Sequence, residues 1–181
     1  MSDTLESRMQ KSITALKSEL ATIRTGRANS ALLDHVRVSY YGSEVPLSQI
    51  GNISVPEPRM LVIAPWEKTI LGDVEKAILK SDLGLTPSND GEIVRIVLPE
   101  LTEDRRKELV KQVKAAGEMA KVAVRNIRRD ANEDIKRQLK DDHLSEDDSK
   151  REHDRVQKIT DQFVAEIDQV IEHKESDILT V

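Results

Sequence analysis

The chain has 181 residues, of which 34% are charged and only 2% aromatic, with no cysteine and a formal net charge of −5. This composition excludes disulfides, thiolate metal sites and cysteine nucleophiles, and argues against an all-β sandwich or barrel. The first ten residues lack the basic and apolar stretches of a signal peptide, and no run approaches about 18 apolar residues. We therefore expect a soluble, unexported cytoplasmic protein with no membrane segment.

The net charge is an average over unlike segments. Residues 1–30 carry a net charge of +2 and residues 102–140 carry +5, whereas residues 31–101 carry −4 and residues 141–181 carry −8. Basic side chains are therefore concentrated in parts of the chain. The acidic total does not exclude a polyanionic partner.

Helix-breaking residues mark the domain boundaries. All six prolines and five of the seven glycines fall between residues 31 and 101, as do three of the four aromatic side chains. Because a proline inside a helix costs roughly 3 kcal/mol, long helices are predicted only outside this window. The sequence predicts a three-helix bundle from residues 1–30 plus 102–181, with residues 31–101 as an inserted domain joined by two strands of backbone.

The first predicted element is a helix with one apolar face. Its stripe repeats every three or four residues and consists of Leu5, Met9, Ile13, Leu16, Leu20 and Ile23. The stripe predicts a rod of roughly 35 Å at 1.5 Å per residue. Arg24 and Arg27 follow it and flank Gly26.

The inserted segment is predicted to be a small β/α/β unit. Alternating or continuous apolar residues predict strands at 36–40, 53–55, 60–64 and 93–98. Between them Leu71, Val74, Ala77 and Ile78 predict one helix, with Gly84 as its C′ residue. We interpret Tyr40-Tyr41-Gly42 as a strand leading into a turn. Strand packing and base stacking are the two roles open to these tyrosines.

Two longer helices follow. Thr102 is the predicted N-cap of the second, whose apolar stripe runs from Leu109 to Leu139, and Ser145 with Asp148 forms a predicted capping box before the third. Their predicted lengths are roughly 55 and 45 Å. Because each helix has a single apolar face, an antiparallel three-helix bundle is the expected arrangement, and an α+β fold follows for the whole chain.

A row of basic side chains, here called the basic ridge, follows heptad spacing along the second of the three bundle helices. Its members are Lys107, Lys111, Lys114, Lys121, Arg125 and Arg128, and they are offset by two positions from the apolar stripe. Two positions correspond to about 200°, so we expect the ridge opposite the core. A solvated charged face is the alternative interpretation for its lysines.

Three arginines on this helix, Arg125, Arg128 and Arg129, form a cluster suited to phosphate. Their guanidiniums repel one another unless a partner neutralises them, and the planar fork of arginine binds phosphate bidentately. Asp130 and Glu133 offset part of this charge. Topology suggests that the end of the first helix adds a second group, Arg24 and Arg27, to the same anionic surface.

No catalytic, cofactor or metal site is predicted. The chain has no GxGxxG, GxxxxGK[ST], GxSxG or HExxH motif, and its four histidines are spread over different segments without ligand-like spacing. We expect these histidines to be exposed. The acidic residues 141–148 lack the glycine and the spaced ligands of a calcium loop, so a solvated interhelical turn is expected there.

Six segments together resemble a known family over the full length, the bacterial ribosome recycling factors. They are RTGRA at 24–28, LLD followed by YYG within 32–42, EKAI with SDLGL within 75–85, LPELTEDRRK at 98–107, VAVRNIRRDAN at 122–132 and SEDD at 145–148. Each segment is weak alone, but their order over the whole chain is specific. The resemblance implies a three-helix bundle with an inserted β/α/β domain on a hinge, in an L shape of tRNA-like dimensions.

The resemblance also implies a function without enzymatic activity. Members bind the ribosome after peptide release over the tRNA-binding region and split its subunits with elongation factor G, which hydrolyses the GTP. The implied large-subunit rRNA contacts are Arg24, Arg27, Arg125, Arg128 and Arg129, and the implied hinge is Asn29, Ser30, Ala31, Leu101 and Thr102. The protein is expected to be a monomer that needs no cofactor or metal.

A helical-bundle chaperone or adaptor with a β insertion, of the prefoldin type, is the alternative from another class. It predicts exposed apolar helix tips. The tip DDHLSEDD at 141–148 is instead strongly acidic.

Overall fold

The computed structural model describes residues 4–180. Within this range the helices are α1 Leu5–Ala21, α2 Leu71–Lys80, α3 Glu103–Lys140 and α4 Glu146–Leu179. The strands are β1 Arg37–Tyr40, β2 Ser43–Pro46, β3 Gly51–Glu57, β4 Met60–Pro65, β5 Pro87–Asn89 and β6 Val94–Val97. Short 3₁₀ turns lie at Ser30–Leu33, Leu47–Gln49 and Lys68–Ile70. The combination of long helices with a small sheet confirms the predicted α+β class.

The chain divides into two compact units. The first consists of the chain up to Leu20 together with Val110–Ser176, and the second consists of Ala21–Leu109 together with the residues from Asp177 onward. Helix α3 therefore begins in the second unit and continues into the first. The predicted domains, 1–30 plus 102–181 and 31–101, stay a prediction, as does the L shape.

The first unit is built from the apolar faces of α1, α3 and α4. Its buried side chains include Met9, Ile13, Leu16, Val113, Val124, Ile135, Val156 and Ile167. Polar contacts give the helix directions: Arg8 of α1 pairs with Asp130 at 3.1 Å, and Lys121 of α3 pairs with Asp168 of α4 at 2.5 Å. Nearer the α3–α4 turn, Asn132 Oδ1 lies 3.0 Å from His153 Nδ1. Helices α3 and α4 are therefore antiparallel, as predicted.

Helices α3 and α4 approach each other closely at Gly117. A Cβ atom added there would lie 1.8 Å from Ile171 Cδ1. Glycine inside a helix costs about 1 kcal/mol relative to alanine, so its presence here needs a packing reason. The isoleucine of α4 supplies that reason, because it occupies the space that any side chain at 117 would need.

The helix ends follow local capping signals. Thr102 Oγ1 accepts a hydrogen bond from Arg105 N at 3.1 Å, and Ser145 Oγ accepts one from Asp148 N at 3.1 Å, so both predicted N-caps are confirmed. Helix α1 ends at Ala21. The predicted extension of its stripe to Ile23 is wrong, and the helix is about 26 Å long instead of 35 Å.

The second unit contains the sheet. Strands β3, β4, β6 and β5 lie in that order, all neighbours antiparallel, while β1 and β2 form a separate hairpin. The core beneath them joins α2, the sheet and the first 3₁₀ turn, and its fully buried members include Val38, Leu61, Ile63, Val74, Ile78 and Ile96. The predicted unit of alternating strands and one helix is thus observed, with β2 and β5 as additional strands.

One predicted feature of the second unit is wrong. Helix α2 ends at Lys80 with Ser81 as its C-cap, and the Ser81 hydroxyl donates to the Ile78 carbonyl at 2.5 Å. Gly84 has the positive φ of 66° expected of a C′ glycine but lies three residues beyond that cap. A serine that satisfies a terminal carbonyl ends the helix earlier than the glycine would.

Candidate nucleic-acid interface

Three arginines of α3 in the first unit, here called the outer arginines, are Arg125, Arg128 and Arg129. Arg125 and Arg129 are exposed and Arg128 is half-buried. Arg125 and Arg129 lie two positions from the buried Ile127 and therefore nearly opposite it, whereas Arg128 follows the buried Val124 by four positions and lies at the edge of the buried face. The core therefore holds this stretch of α3 rigidly while the guanidiniums remain accessible to solvent.

The outer arginines have no hydrogen-bond or ion-pair partner among the described residues. Arg27 shares this property, because only its backbone takes part in hydrogen bonds there. The other ten arginines of the chain each donate to a carboxylate or a backbone carbonyl. Four of the five arginines assigned to rRNA from the sequence are thus the four left unpaired within residues 4–180.

One of the two acidic residues expected to offset the cluster, Asp130, is bound elsewhere. Asp130 pairs with Arg8 of α1 at 3.1 Å, so this carboxylate is already used by a cation from another helix. Arg8 itself was missed by sequence analysis. Only the packing of α1 against α3 brings it to Asp130, and no local motif indicates that contact.

Most of the basic ridge is exposed as predicted, but Lys121 departs from it, which corrects the prediction for that residue. The side chain of Lys121 is only 16% exposed and pairs with Asp168 at 2.5 Å and Glu118 at 3.7 Å. These partners raise the pKa of Lys121, chiefly through the hydrogen bond to Asp168, although burial acts against them. Since a heptad row drifts by about 20° per repeat on a straight helix, Lys121 and Arg128 lie nearer the buried face than the exposed Lys107 and Lys114.

Arg24 belongs to the second unit and is engaged there. Its guanidinium donates to the carbonyl of Pro99, and Arg59 Nε donates to the neighbouring carbonyl of Leu98 at 3.1 Å. Leu98 N in turn donates to the Arg59 carbonyl at 2.8 Å. Two arginines thus hold successive carbonyls of the backbone that follows β6.

A third cation, Arg105, completes what we call the inner arginines, Arg24, Arg59 and Arg105. Burial lowers the pKa of the Arg24 guanidinium, and the charges of Arg105 and then Arg59 lower it further. Arg24 Nε is buried without a hydrogen-bond partner. The inner arginines therefore form a locally repulsive group, offset by Glu100 on Arg59 and Glu108 on Arg105 at 3.3 and 2.9 Å.

The predicted hinge residues lie where the chain enters and leaves the sheet region. Asn29 Oδ1 accepts from Ala31 N at 3.0 Å and caps the 3₁₀ turn that begins at Ser30. Leu101 is buried, and Thr102 caps α3. Residues 99–102 have no regular secondary structure. The position of a hinge within these segments stays a prediction.

The histidine and acidic side chains bear on a possible metal site. No group of three or more His, Asp or Glu residues able to hold a metal ion occurs between residues 4 and 180. His35, His143 and His173 are exposed, whereas His153 is half-buried on Asn132, contrary to the expectation of exposure for all four. None of the helices in this range is long and apolar enough to cross a bilayer.

The fold and the arginines without partners among residues 4–180 define a class of protein. It is a helical bundle whose chain is interrupted by a small sheet unit, with an accessible cationic stretch on its longest helix.

A family model described as ribosome recycling factor matches residues 16–179. The chain belongs to the ribosome recycling factor family. It is 58% identical over 181 residues to the ribosome-recycling factor of Bacillus licheniformis, covering 100% of this chain and 97% of the relative.

Further comparisons agree in sequence and in fold. The ribosome-recycling factor of Brevibacillus brevis is 57% identical over 177 residues, covering 98% of this chain and 96% of that protein. A solution structure of the ribosome recycling factor matches with 43% identity, a TM-score of 0.76 and coverage of 98% of this chain and 94% of that one.

A second structure shows a family member in a complex. It contains the T. thermophilus ribosome recycling factor and E. coli elongation factor G bound to the E. coli post-termination complex, and it matches with 51% identity and a TM-score of 0.67. It covers 97% of this chain and 95% of that one. Membership of this family assigns the protein to ribosome recycling in protein biosynthesis, a role that is not enzymatic.

Proposed function

We propose that this protein binds the post-termination ribosome over the tRNA-binding region and contacts phosphates of large-subunit rRNA. Together with elongation factor G, which hydrolyses the GTP, it then splits the subunits and releases ribosomes from mRNA. The observation that carries the rRNA assignment is the set of four unpaired arginines, Arg27, Arg125, Arg128 and Arg129. The protein acts as a monomer in the cytoplasm, where its substrate is found.

Unpaired guanidiniums favour this role for a physical reason. An arginine already bound to a carboxylate must break that ion pair before it can bind phosphate, whereas the outer arginines lose only water and counterions. Their planar forks accept bidentate contacts from phosphate oxygens. The buried residues of α3 fix their spacing before binding, which reduces the entropy cost of association.

Arg24 is proposed to contact both the rRNA and the backbone of its own chain. It donates to Pro99 through Nη2, and its Nη1 has no hydrogen-bond partner among the described residues. We assign the Nη1 atom to an rRNA phosphate and the Nη2 atom to the backbone. With five arginines neutralising about five phosphates, log K falls against log salt with a slope of roughly −4.

The second unit is proposed to receive the action of elongation factor G. Asn29, Ser30 and Ala31 on one side and Leu101 and Thr102 on the other are the hinge of this proposal. Both segments lie at the ends of regular elements, where small changes in φ and ψ are absorbed most easily. The solved complex of a relative with this factor and a post-termination ribosome supports the choice of partner.

Ribosome co-sedimentation and light scattering test the proposal. Post-termination ribosomes are mixed with the protein alone, with elongation factor G and GTP, and with the same factor and a non-hydrolysable GTP analogue. We expect binding in every mixture and a fall in scattering, which reports subunit splitting, only with hydrolysable GTP. Splitting by the protein alone, or affinity that does not change with salt, would contradict the proposal.

A further inference from the structure

The second unit carries a group of side chains that the proposed function does not use. Tyr40 and Tyr41 donate their hydroxyls to the two oxygens of one carboxylate, Glu67 Oε1 at 3.0 Å and Glu67 Oε2 at 3.2 Å. The two rings meet edge to face with centroids 4.4 Å apart. We call Tyr40, Tyr41 and Glu67 the tyrosine–glutamate cluster. Trp66 precedes Glu67 in the chain.

This cluster exposes the scarcest side chains of the protein. Only four aromatic residues occur in 181, and two of them are largely exposed here, Tyr41 at 82% and Trp66 at 70%. Large exposed aromatic surfaces are costly to hydrate and are enriched at protein interfaces. The exposed ring of Tyr41, whose hydroxyl is bonded to Glu67, therefore indicates a contact surface.

Folding alone does not account for Tyr41. Its φ is +47° and the next residue, Gly42, has a φ of +81°, so both turn residues between β1 and β2 are left-handed. Glycine, asparagine and aspartate favour such turns, whereas a bulky residue there is strained by about 1–2 kcal/mol. Tyr40 packs against the core of the second unit, but the ring of Tyr41 is too exposed to gain comparable packing energy.

Glu67 is bonded in an unusual way for a half-buried carboxylate. Both its partners are neutral hydroxyls, and no cation pairs with it among the described residues. Each oxygen keeps a further lone pair. The neighbouring Lys68 instead pairs with Glu92 at 3.4 Å. The carboxylate is therefore held in place with its charge uncompensated.

We propose that the tyrosine–glutamate cluster is a docking site for a cationic side chain, an arginine or lysine, of a protein partner. The ring face of Tyr41 offers a cation–π contact and Glu67 offers a charge-assisted hydrogen bond. The surrounding segment 31–101 carries a net charge of −4, which complements a basic partner. Glu67 also raises the pKa of both tyrosines, so their hydroxyls remain protonated donors.

Base stacking of RNA on these rings is the competing role. The negative charge of Glu67 and of the segment around it repels a phosphate backbone, which opposes stacking by single-stranded RNA. The observations therefore favour a basic protein segment. This docking site extends beyond the proposed rRNA contacts and does not depend on them, because its test uses no ribosome.

The test is a titration of the full-length ¹⁵N-labelled protein followed by NMR. Trp66 is the only tryptophan of the chain, so its indole N–H gives a single resolved signal from the residue that precedes Glu67. The probes are a short peptide with two arginines spaced by glycine, the same peptide with citrulline in place of arginine, and a single-stranded RNA oligonucleotide. We expect the arginine peptide alone to shift the resonances of Tyr41, Trp66 and Glu67.

Two variants make the assignment specific. Glu67→Gln keeps the acceptor shape and removes the charge, and we expect it to weaken peptide binding about tenfold. Tyr41→Asn removes the ring and suits the left-handed turn, so it is expected to fold at least as stably and to weaken binding as well. Leu79→Ser, which alters another exposed apolar side chain of the second unit, is the control and leaves binding unchanged.

Each other outcome overturns the proposal. Equal shifts with the citrulline peptide would show that charge is not recognised. Shifts with RNA but not with the arginine peptide would assign the surface to nucleic acid. Full peptide affinity in a folded Tyr41→Asn or Glu67→Gln protein would place the contact elsewhere.

Discussion

The outer and the inner arginines carry the same functional group in opposite situations. Arg125, Arg128 and Arg129 project from a well-packed helix with no partner among residues 4–180, whereas Arg24 and Arg59 are bound to the successive carbonyls of Pro99 and Leu98. Both groups are clusters of like charge. In the inner group the repulsion is compensated by backbone carbonyls and by Glu100 and Glu108, so that group stabilises the chain itself.

The presence or absence of a partner for the guanidinium distinguishes structural from recognition roles more clearly than the solvent exposure of the side chain does. Arg151 has a side chain 78% exposed and yet pairs with Asp148, while the half-buried Arg128 pairs with nothing that the structure describes. A guanidinium without a partner retains its full capacity for phosphate. Loss of an outer arginine should therefore affect binding alone, whereas loss of Arg24 should affect stability as well as binding.

The largest effect is expected from the double substitution Arg125→Ala with Arg128→Ala. Ribosome affinity should fall by about 3 kcal/mol, roughly a hundredfold, because two charge-assisted contacts are lost. The salt slope should become shallower by about 2. Co-sedimentation at several salt concentrations measures both, and thermal unfolding should give the same midpoint as the parent protein.

The matched control for this pair is Arg151→Ala. It removes an arginine that is more exposed than Arg128 but already has a carboxylate partner, so affinity and salt slope should change little. If the control and the double variant weakened binding alike, general charge rather than the outer arginines would be responsible.

A smaller effect, on the stability of the protein, is expected from Arg24→Ala. This change removes the hydrogen bond to Pro99 and should lower the free energy of unfolding by about 1 kcal/mol. Amide exchange at Leu98 and Leu101 should accelerate, because the backbone after β6 loses a fixed contact. Urea unfolding and hydrogen exchange check this, and unaltered exchange there would argue against a structural role for Arg24.

The substitution Lys121→Met compares a paired cation with the outer arginines on the same helix. Lys121 belongs to the same heptad row as Arg128 but is paired with Asp168, so the salt slope should not change and stability should fall by only about 0.5–1 kcal/mol. Because the pKa of Lys121 is raised, this contribution is complete below the ordinary lysine pKa and disappears as the pH rises through the raised value. Unfolding measured from neutral to strongly alkaline pH tests the prediction.

The smallest effect concerns the tyrosine–glutamate cluster. The pKa of Tyr40 is raised mainly by its hydrogen bond to Glu67, and that of Tyr41 mainly by the charge of Glu67. Glu67→Gln should lower both toward the ordinary value. Since the chain has only two tyrosines, ultraviolet absorbance of tyrosinate during an alkaline titration reports on both directly. Coinciding titration curves for the two proteins would show that Glu67 exerts no such effect.

Features that depend on neighbouring residues were predictable from the sequence. Thr102 and Ser145 cap helices through bonds to residues three positions on, and the apolar stripes of α3 and α4 identify their buried faces. The end of α2 was predicted wrongly because two local signals compete, and Ser81 acts before Gly84. Strand β5, Pro87–Asn89, has no apolar alternation, so only its pairing with β6 reveals it.

Features that depend on distant residues were not predictable. The contact between Arg24 and Pro99 joins residues 75 positions apart, and the pair of Arg8 with Asp130 joins residues 122 positions apart. Neither arginine differs locally from an unpaired one. The burial of Lys121 was missed for the same reason, because its partner Asp168 lies on another helix.

The contacts that join the two ends of the sheet region have a consequence for the order of folding. Helix α1 packs against α3 in the first unit, although Ala21–Leu109 separates the two parts of that unit in the chain. The entropy cost of closing a flexible loop falls by about 0.6 kcal/mol for each halving of its length. Once the second unit has folded, the bond of Arg24 to Pro99 brings the two ends of this segment together. We therefore expect amide protection to appear first in the sheet and the α3–α4 hairpin and last in α1. The folded second unit shortens the loop that must close before α1 can pack.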